Sequence, residues 1–459
     1  MGKVVTLPLG GQLLYASGSA AFTILERILL LYMPFYYLPP AELNLPALIP
    51  DGTYLGVFTV LGGALLIGRI FDGLADPLIA SLSDNSRFSL GRRKLFLLIG
   101  GLTLTITTLL VFHPPYQTGS STSNGFWLSL TMAFFYFFFT AYVNPYLALL
   151  PELGHTDSLR INLSTMIAFF GLIGMIMVTI LFPIIAAMLQ DGGIEVRAAY
   201  RNAVFLFVSL SLLLLYLAAF GFNENRHCYP ADGERTGAWQ SLFHTFSIKP
   251  FRIFLGGEMF LQFAMNLVTL GLIYYAVVLF QREERFMTIL AGLTIGTALV
   301  FSPLVNRLAK QMGKKRIITS GVLCLTFAGL AIFLLSFVTG SLTFYLSLAM
   351  FALAGFPLAV LTILINPTIA DMARADYYKT GRRREAMFFG ARAIPLKLTI
   401  ALAGVVFAFL LSTFGRDIAQ SLGVQLSALA VAIASLCSYI CFNRYPEEEV
   451  METLKQEKA

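Results

Sequence analysis

Charge is what this sequence has least of. Asp, Glu, Lys and Arg make up 12% of its 459 residues, about half of the roughly 25% usual in a soluble domain. Polar stretches are short, which leaves no room for a large water-soluble domain. The four cysteines, Cys228, Cys324, Cys437 and Cys441, show no metal-ligand spacing. Cys437 and Cys441 share a helix face, which suits packing. There is no HExxH, no GxSxG at a helix entry and no phosphate loop. The one histidine beside a cysteine, in "NRHCYP", stands without further ligand partners. These absences argue against an enzyme, and no cofactor or transition metal is expected. The first apolar segment begins near Leu13 and runs past Tyr37 with no small-residue cleavage site behind a short core, so it reads as a span and not as a removable signal.

What fills the chain is apolar. Hydrophobic residues make up 57% of it, mean hydropathy is +0.76, and apolar runs of roughly 20 residues recur from end to end, each long enough to cross a bilayer as a helix. The pattern predicts an all-α integral membrane protein with twelve spans, near 11–38, 53–82, 95–113, 125–150, 161–189, 202–222, 252–280, 287–309, 316–338, 341–370, 387–414 and 419–442. With both termini in the cytoplasm, 23 of the 32 Lys and Arg fall in inside segments and only Arg197, Arg201, Arg282, Arg285 and Arg416 in outside ones. That is the bias that orients membrane helices. A missed span would scramble it. The net charge of +7 follows from this topology and needs no nucleic-acid partner.

The longest polar connection, Asn223 to Pro250, separates six spans from six. The expected domains are a bundle over 1–222, a cytoplasmic linker over 223–250, a second bundle over 251–442 and a cytoplasmic tail over 443–459. The halves echo one another. "LGRRK" at 90–94 matches "MGKKR" at 312–316, and "VNPY" at 143–146 matches "INPT" at 365–368, both at an offset of 222. "FYY" at 35–37 and "IYY" at 273–275 lie 238 apart, consistent with a longer first outside loop. A parallel repeat of six helices, with a basic loop after its second span, resembles the major facilitator architecture of two bundles related by a pseudo-two-fold axis.

Eight charged side chains fall inside the spans away from their ends: Glu26, Arg27, Arg69, Asp72, Asp76, Glu258, Arg392 and Lys397. Each is costly in hydrocarbon and is therefore a functional candidate. Asp72 and Asp76 are four residues apart and share one face of the second span. Two carboxylates that close repel when both are ionised. A hard cation or a proton between them removes the repulsion, and one Arg69 does not balance two acids. The matching positions of the second half, Thr294 and Ala298, are uncharged, an asymmetry that argues for a dedicated site over the alternative, a structural ion pair with Arg69. Lys397 in span 11 is expected to neutralise the acids when no ion is bound, or to form a fixed bridge. Glu258, Gln262 and Asn266 recur every fourth residue on span 7, a stripe suited to a cavity or a neighbouring helix. Glu26 and Arg27 point apart on their helix, so Glu26 should have another partner. Arg392 reads as a structural arginine reaching toward the cytoplasmic boundary. The aromatic run "FFYFFF" at 134–139 reads mainly as lipid and helix contact.

These residues resemble a known group. "RIFDGLADPLIASLSD" followed by "GRRK", "NPYLALLPEL" at 144–153, and "ADMARADYYKTGRRREAMFFGARAIPLK" at 370–397 are similar to motifs of the glycoside–pentoside–hexuronide:cation symporters, the melibiose permease group of the major facilitators. The resemblance implies alternating access. It makes Asp72 and Asp76 the cation carboxylates, with Lys397, Arg69 and Thr23 as neighbours. It makes Arg92, Arg93, Glu152, Asp371, Arg383 and Glu385 a cytoplasmic gate. Glu26, Asn144, Glu258, Gln262 and Asn266 are the candidates for the substrate cavity. The departures lie on the sugar side. Thr23 stands where sugar-transporting members have Asp, Val143 or Asn144 where they have a second Asp, and Ile167 near the place of an Arg. Arg374 replaces an acid common in the connection before span 11. Losing groups that pair with sugar hydroxyls argues against a melibiose-like mode. Animal sodium-dependent lysophospholipid symporters in the same family carry an amphiphile instead.

The expectation is a symporter of a small organic solute, coupled to Na⁺ or, as an alternative, to H⁺. Its substrate is a glycoside or, alternatively, an amphiphile such as a lysophospholipid. A transporter-like receptor is a more distant alternative. The protein is expected to act as a monomer in the plasma membrane, which in a bacterium is the inner membrane.

Overall fold

The computed structural model describes residues 6–40, 45–54, 58–86, 88, 91–154, 157–228, 244–338, 341–380 and 385–456. It divides into two compact units, Met1–Gly233 and Glu234–Ala459. The first unit holds α1 (Leu9–Tyr37), a hairpin of β1 (Thr53–Tyr54) and β2 (Phe58–Thr59), α2 (Val60–Asn85), α3 (Lys94–Val111), α4 (Thr122–Leu153), α5 (Asp157–Ile176), α6 (Phe182–Asp191), α7 (Val196–Phe220) and α8 (Glu224–His227). The second holds α9 (Lys249–Tyr274), α10 (Phe286–Met312), α11 (Lys314–Leu335), α12 (Ser341–Leu353), α13 (Gly355–Thr380), α14 (Glu385–Phe414), α15 (Leu422–Asn443) and α16 (Glu447–Gln456).

Eleven helices among the described residues are long and apolar enough to cross a membrane. The long helix that is not among them is α2, which carries Arg69, Asp72, Asp76 and Asp84. Its beginning also differs from expectation. Residues from 53 onward read as helix, yet Thr53 pairs with Thr59 and Tyr54 with Phe58 in an antiparallel hairpin. β-Branched and aromatic residues favour that pairing. Helix α2 then starts at Val60, where the Thr59 hydroxyl accepts the N–H of Gly62 at 2.9 Å and caps the first turn.

The two units repeat their internal packing. In the first, α2 packs on α4, α1 on α7 and α5, and α3 on α4 and α7. In the second, α10 packs on α13, α9 on α15 and α14, and α11 on α13 and α15. Tyrosines tie the first core. Tyr15 of α1 and Tyr146 of α4 stack at 4.6 Å, and each hydroxyl donates to the other residue's carbonyl.

Irregular backbone appears where a neighbouring side chain can satisfy it. The fifth span runs from α5 through a π-helical turn, Met177–Leu181, into α6. Pro183 supplies no N–H there, and the Tyr32 hydroxyl donates to the Val178 carbonyl at 2.9 Å. The tenth span, expected as one helix over 341–370, is split between α12 and α13, and α13 continues to Thr380. At the split, Thr294 of α10 donates to the Phe351 carbonyl at 2.8 Å and Thr297 to the Ala352 carbonyl at 2.7 Å. Pro357 cannot donate to the carbonyl of Leu353. The two helices approach so closely that a Cβ on Gly355 would lie 2.1 Å from Thr297 Oγ1 and 2.6 Å from the Ala298 nitrogen.

Candidate cation and solute site

Helices α2 and α4 lie in register. Asp72 meets Thr140 and Asp76 meets Asn144, both 68 residues further along the chain. The Thr140 hydroxyl donates to Asp72 Oδ1 at 2.6 Å, and the Asn144 amide donates to Asp76 Oδ1 at 3.0 Å. One turn earlier, the Arg69 guanidinium lies over the Tyr136 ring, 4.3 Å from its centroid. The polar positions of α2 at 69, 72 and 76 are thus answered by 136, 140 and 144 on α4, spacings that keep each set on one helix face.

Arg69 is shared. Its Nη1 lies 3.4 Å from Asp72 Oδ2 and its Nη2 lies 3.6 Å from Glu26 Oε1 on α1. Asp72 is 2% exposed and Arg69 8%, while Asp76 and Glu26 are half-buried. The cluster therefore gathers three carboxylates and one guanidinium within the first unit. Carboxylate oxygens set beside a threonine hydroxyl and a carboxamide are a ligand set that suits a hard cation.

The structure brings together Asp72, Asp76, Arg69, Glu26 and Asn144. Thr23, one turn before Glu26, is half-buried and faces Gly171 of α5. Lys397 is half-buried on α14, two residues beyond Pro395, and belongs to the second unit. Tyr136 and Thr140 escaped the sequence reading. Their only signal was a Tyr–Thr–Asn stripe at every fourth position, hidden in an aromatic run.

In the second unit, the Glu258 carboxylate of α9 is fully enclosed. Arg392 of α14 grips it through Nε, 2.8 Å from each oxygen, and through Nη2. Arg392 Nη1 also donates to Asn366 Oδ1 of α13 at 2.9 Å. Glu258 was expected in a cavity, and Arg392 was expected to reach for the membrane boundary. A buried acid on the next helix is the stronger partner for a guanidinium. Asn266, nearly buried, turns back to donate to the Gln262 carbonyl at 2.8 Å, and the Gln262 side chain is half-buried.

Of the residues expected at a cytoplasmic gate, Arg92, Arg93, Glu152 and Asp371 form ion pairs within their own units. Arg92 and Arg93 both bind Glu152, Arg93 at 2.9 Å, and Lys314 binds Asp371. Glu152 lies two residues past the apolar stretch Thr122–Leu150. Burial holds its carboxyl above the ordinary range, against the pull of Arg93 and Arg92. Arg383 lies outside the described residues, and Glu385 is the first residue of α14. Arg374 of α13 is exposed.

Two acids not singled out from the sequence complete these ends. Glu224 accepts the backbone N–H of Arg93 at 3.1 Å and of Lys94 at 3.0 Å. Glu447 accepts those of Lys314 at 2.8 Å and Lys315 at 3.1 Å. Each carboxylate thus sits at the positive start of a helix, over a glycine with positive φ, Gly91 at +127° and Gly313 at +88°.

The sequence profile of the MFS/sugar transport protein family matches residues 14–442. The inner membrane symporter YicJ of Escherichia coli (strain K12) is 24% identical over 467 residues, covering 97% of this chain and 94% of that protein. The raffinose carrier protein of Pediococcus pentosaceus is 21% identical over 418 residues, covering 86% of this chain and 61% of the carrier. The crystal structure of the nucleoside transporter NupG shares the fold, with a TM-score of 0.67 at 12% identity over 95% of this chain and 100% of its own. A family match through both units, joined to this fold, places the chain: it belongs to the MFS/sugar transport protein family, among the glycoside–pentoside–hexuronide:cation symporter-like major facilitators, and is an integral membrane secondary transporter of a small solute.

Proposed function

We propose that the protein is a symporter in which Asp72 and Asp76 hold the coupling cation, sodium, and a small organic solute travels with it. One observation carries the reading. Two carboxylates on one face of α2 each receive a neutral oxygen-bearing donor from α4, and Glu26 brings a third carboxylate to Arg69 beside them. Acid oxygens gathered with hydroxyl and carboxamide oxygens are the ligand set a hard cation prefers.

Coupling then follows from linkage. If sodium tightens the solute, the solute tightens sodium by the same factor. The test is isothermal calorimetry of sodium binding, together with solute uptake into proteoliposomes. Replacing Asp72 by Asn keeps the shape of the side chain and removes one charge. The apparent sodium affinity is expected to fall by about 100-fold, or about 2.7 kcal/mol, while the protein stays folded. Unchanged sodium-dependent uptake in the variant would remove Asp72 from the seat. Uptake that follows an imposed pH gradient and ignores sodium would give the seat to a proton.

A further inference from the structure

Helix α1 is enclosed almost everywhere. From Tyr15 to Tyr37 every residue is buried except Phe22, Thr23, Glu26 and Arg27, which are half-buried. Their spacing puts the four on one face. That face lies deep in the span. Arg27 stands ten residues before the helix end at Tyr37, about 15 Å along the axis and about half the depth of a hydrocarbon core. A guanidinium there belongs to a path for ions or solutes and not to lipid contact. Glu26 is answered by Arg69. Arg27 is not: among the described residues it has no hydrogen bond and no ion pair. Adjacent side chains point apart, so Glu26 does not serve it. The positions one turn away, Thr23, Ile24, Leu30 and Leu31, carry no acid. The Thr23 hydroxyl also makes no hydrogen bond among the described residues, whereas Thr107, Thr131 and Thr179 each bond a carbonyl one turn back. The flanks are apolar. Phe22 meets Phe139 and Tyr146 of α4 edge to face, at 6.1 and 5.5 Å. Helix α5 runs alongside, where Ser19 donates to the Ile167 carbonyl at 2.6 Å and a Cβ on Gly171 would lie 3.8 Å from Thr23 Oγ1. Ile167 and Phe170 are half-buried on that helix.

We propose that Arg27, with the Thr23 hydroxyl, seats the head of an organic anion whose body is apolar: an aliphatic or aromatic carboxylate or sulfonate resting against Phe22 and α5. The inference rests on the reading of the protein as a solute symporter and names what travels with the cation. The guanidinium offers five N–H donors in one plane and takes a head of two or three oxygens bidentately. Thr23 adds a donor one turn away. A neutral polyol fits less well. Its hydroxyls would meet Phe22, Ile167 and Phe170, which neither donate nor accept, and would be desolvated without partners. A cationic solute is excluded by like charge.

The internal repeat holds no copy of this patch. At the offset of 238, Glu26 and Arg27 correspond to Ala264 and Met265 of α9, so building a bundle does not require the charges. Glu26, next to Arg27, joins the seat to the carboxylates of α2. Ionised and unpaired, it would repel an anion. Arg69 offsets that repulsion but is shared with Asp72. A cation that takes over Asp72 leaves the guanidinium to Glu26 and so favours the anion. By linkage, the anion favours the cation by the same factor.

The experiment is calorimetry on the purified full-length chain, with phenylacetate and hexanesulfonate as probes, in saturating sodium chloride and in choline chloride. Phenylacetamide removes the charge from the probe, and glucuronate keeps the charge but adds hydroxyls. In sodium, phenylacetate is expected to bind at least tenfold more tightly than either comparison, and more tightly than it does in choline. Arg27→Gln is expected to weaken phenylacetate by at least tenfold. Arg27→Lys keeps the charge without the planar fork and is expected to fall between the two. Sodium alone should still bind both variants within twofold of the parent, which shows that they are folded. Thr23→Val removes a donor and no charge, and is expected to weaken phenylacetate about threefold; with the comparison of probes in the parent, it carries the test if Arg27→Gln does not fold. Equal affinity for phenylacetate and phenylacetamide overturns the proposal. So does Arg27→Gln binding phenylacetate as the parent does, or a parent that prefers glucuronate. Sodium binding retained in any of these outcomes leaves the symporter reading intact. Loss of the sodium response in the parent, with phenylacetate binding and its dependence on Arg27 retained, would sink the coupling reading and leave this seat standing.

Discussion

Asp72 directs one carboxylate oxygen to the Thr140 hydroxyl and the other to Arg69. At 2% exposure it has little water to replace either partner. Thr140→Val keeps the shape of the side chain and deletes the donor. A hydrogen bond to a charged group contributes about 1.5–3 kcal/mol, so sodium affinity measured by calorimetry is expected to fall by roughly tenfold to a hundredfold. An unchanged affinity would show that Thr140 only packs. The contrast with Asp72 explains what could be read in advance. A carboxylate in an apolar segment announces itself through its cost. A threonine does not, because its hydroxyl can always bond a carbonyl of its own helix, as Thr131 and Thr179 do. Arg392 and Glu258 were each visible as buried charges. Their pairing was not, because it depends on which faces of α9 and α14 meet.

Elements show the same division between pattern and context. Long apolar runs and the Lys and Arg bias make the spans legible, since lipid admits a helix more readily than any other open structure. Interruptions are less legible. "LAGFP" at 353–357 contains the glycine and the proline that divide α12 from α13, yet prolines also occur inside continuous helices here, as at Pro303 and Pro395. The tenth span breaks beside a pair of threonines on α10 whose hydroxyls donate to its Phe351 and Ala352 carbonyls. The approach is too tight for a methyl group, so Gly355→Ala is expected to destabilise the second unit by about 3 kcal/mol through overpacking. Thermal unfolding in detergent, followed by a probe in each unit, would register this as a lowered midpoint for residues 234–459 alone. A variant as stable as its parent would mean that the helices separate freely at this point.

At the scale of the molecule, the repeat is a repeat of devices as well as of helices. Each unit starts its third span with a glycine at positive φ, lays a glutamate from beyond its sixth span over the first backbone N–H groups, and ties a basic side chain to an acid on its fourth span. The motifs "LGRRK" and "MGKKR" revealed the basic half of this device. Glu224 and Glu447 stayed hidden because 130 or more residues separate each from its targets. The two clamps sit in separate units and share no partner, so their losses should add. Glu224→Ala and Glu447→Ala are each expected to cost about 2 kcal/mol, and the double variant about 4 kcal/mol, read as denaturant midpoints. A double variant no weaker than either single one would mean that the two clamps act as one.

The surplus of charge on α2 also bears on how the chain is made. During synthesis a segment leaves the translocon for lipid when its own composition favours lipid. Each Arg or Asp near the centre of a span opposes that by about 2.5–3.5 kcal/mol. Helix α2 carries Arg69, Asp72 and Asp76 there and cannot leave alone. The groups that answer those charges, Tyr136, Thr140 and Asn144, emerge from the ribosome 68 or so residues later. The nascent second span is therefore expected to wait at the insertion machinery for the fourth, so that the charges proposed to hold an ion also set the order in which the chain is assembled.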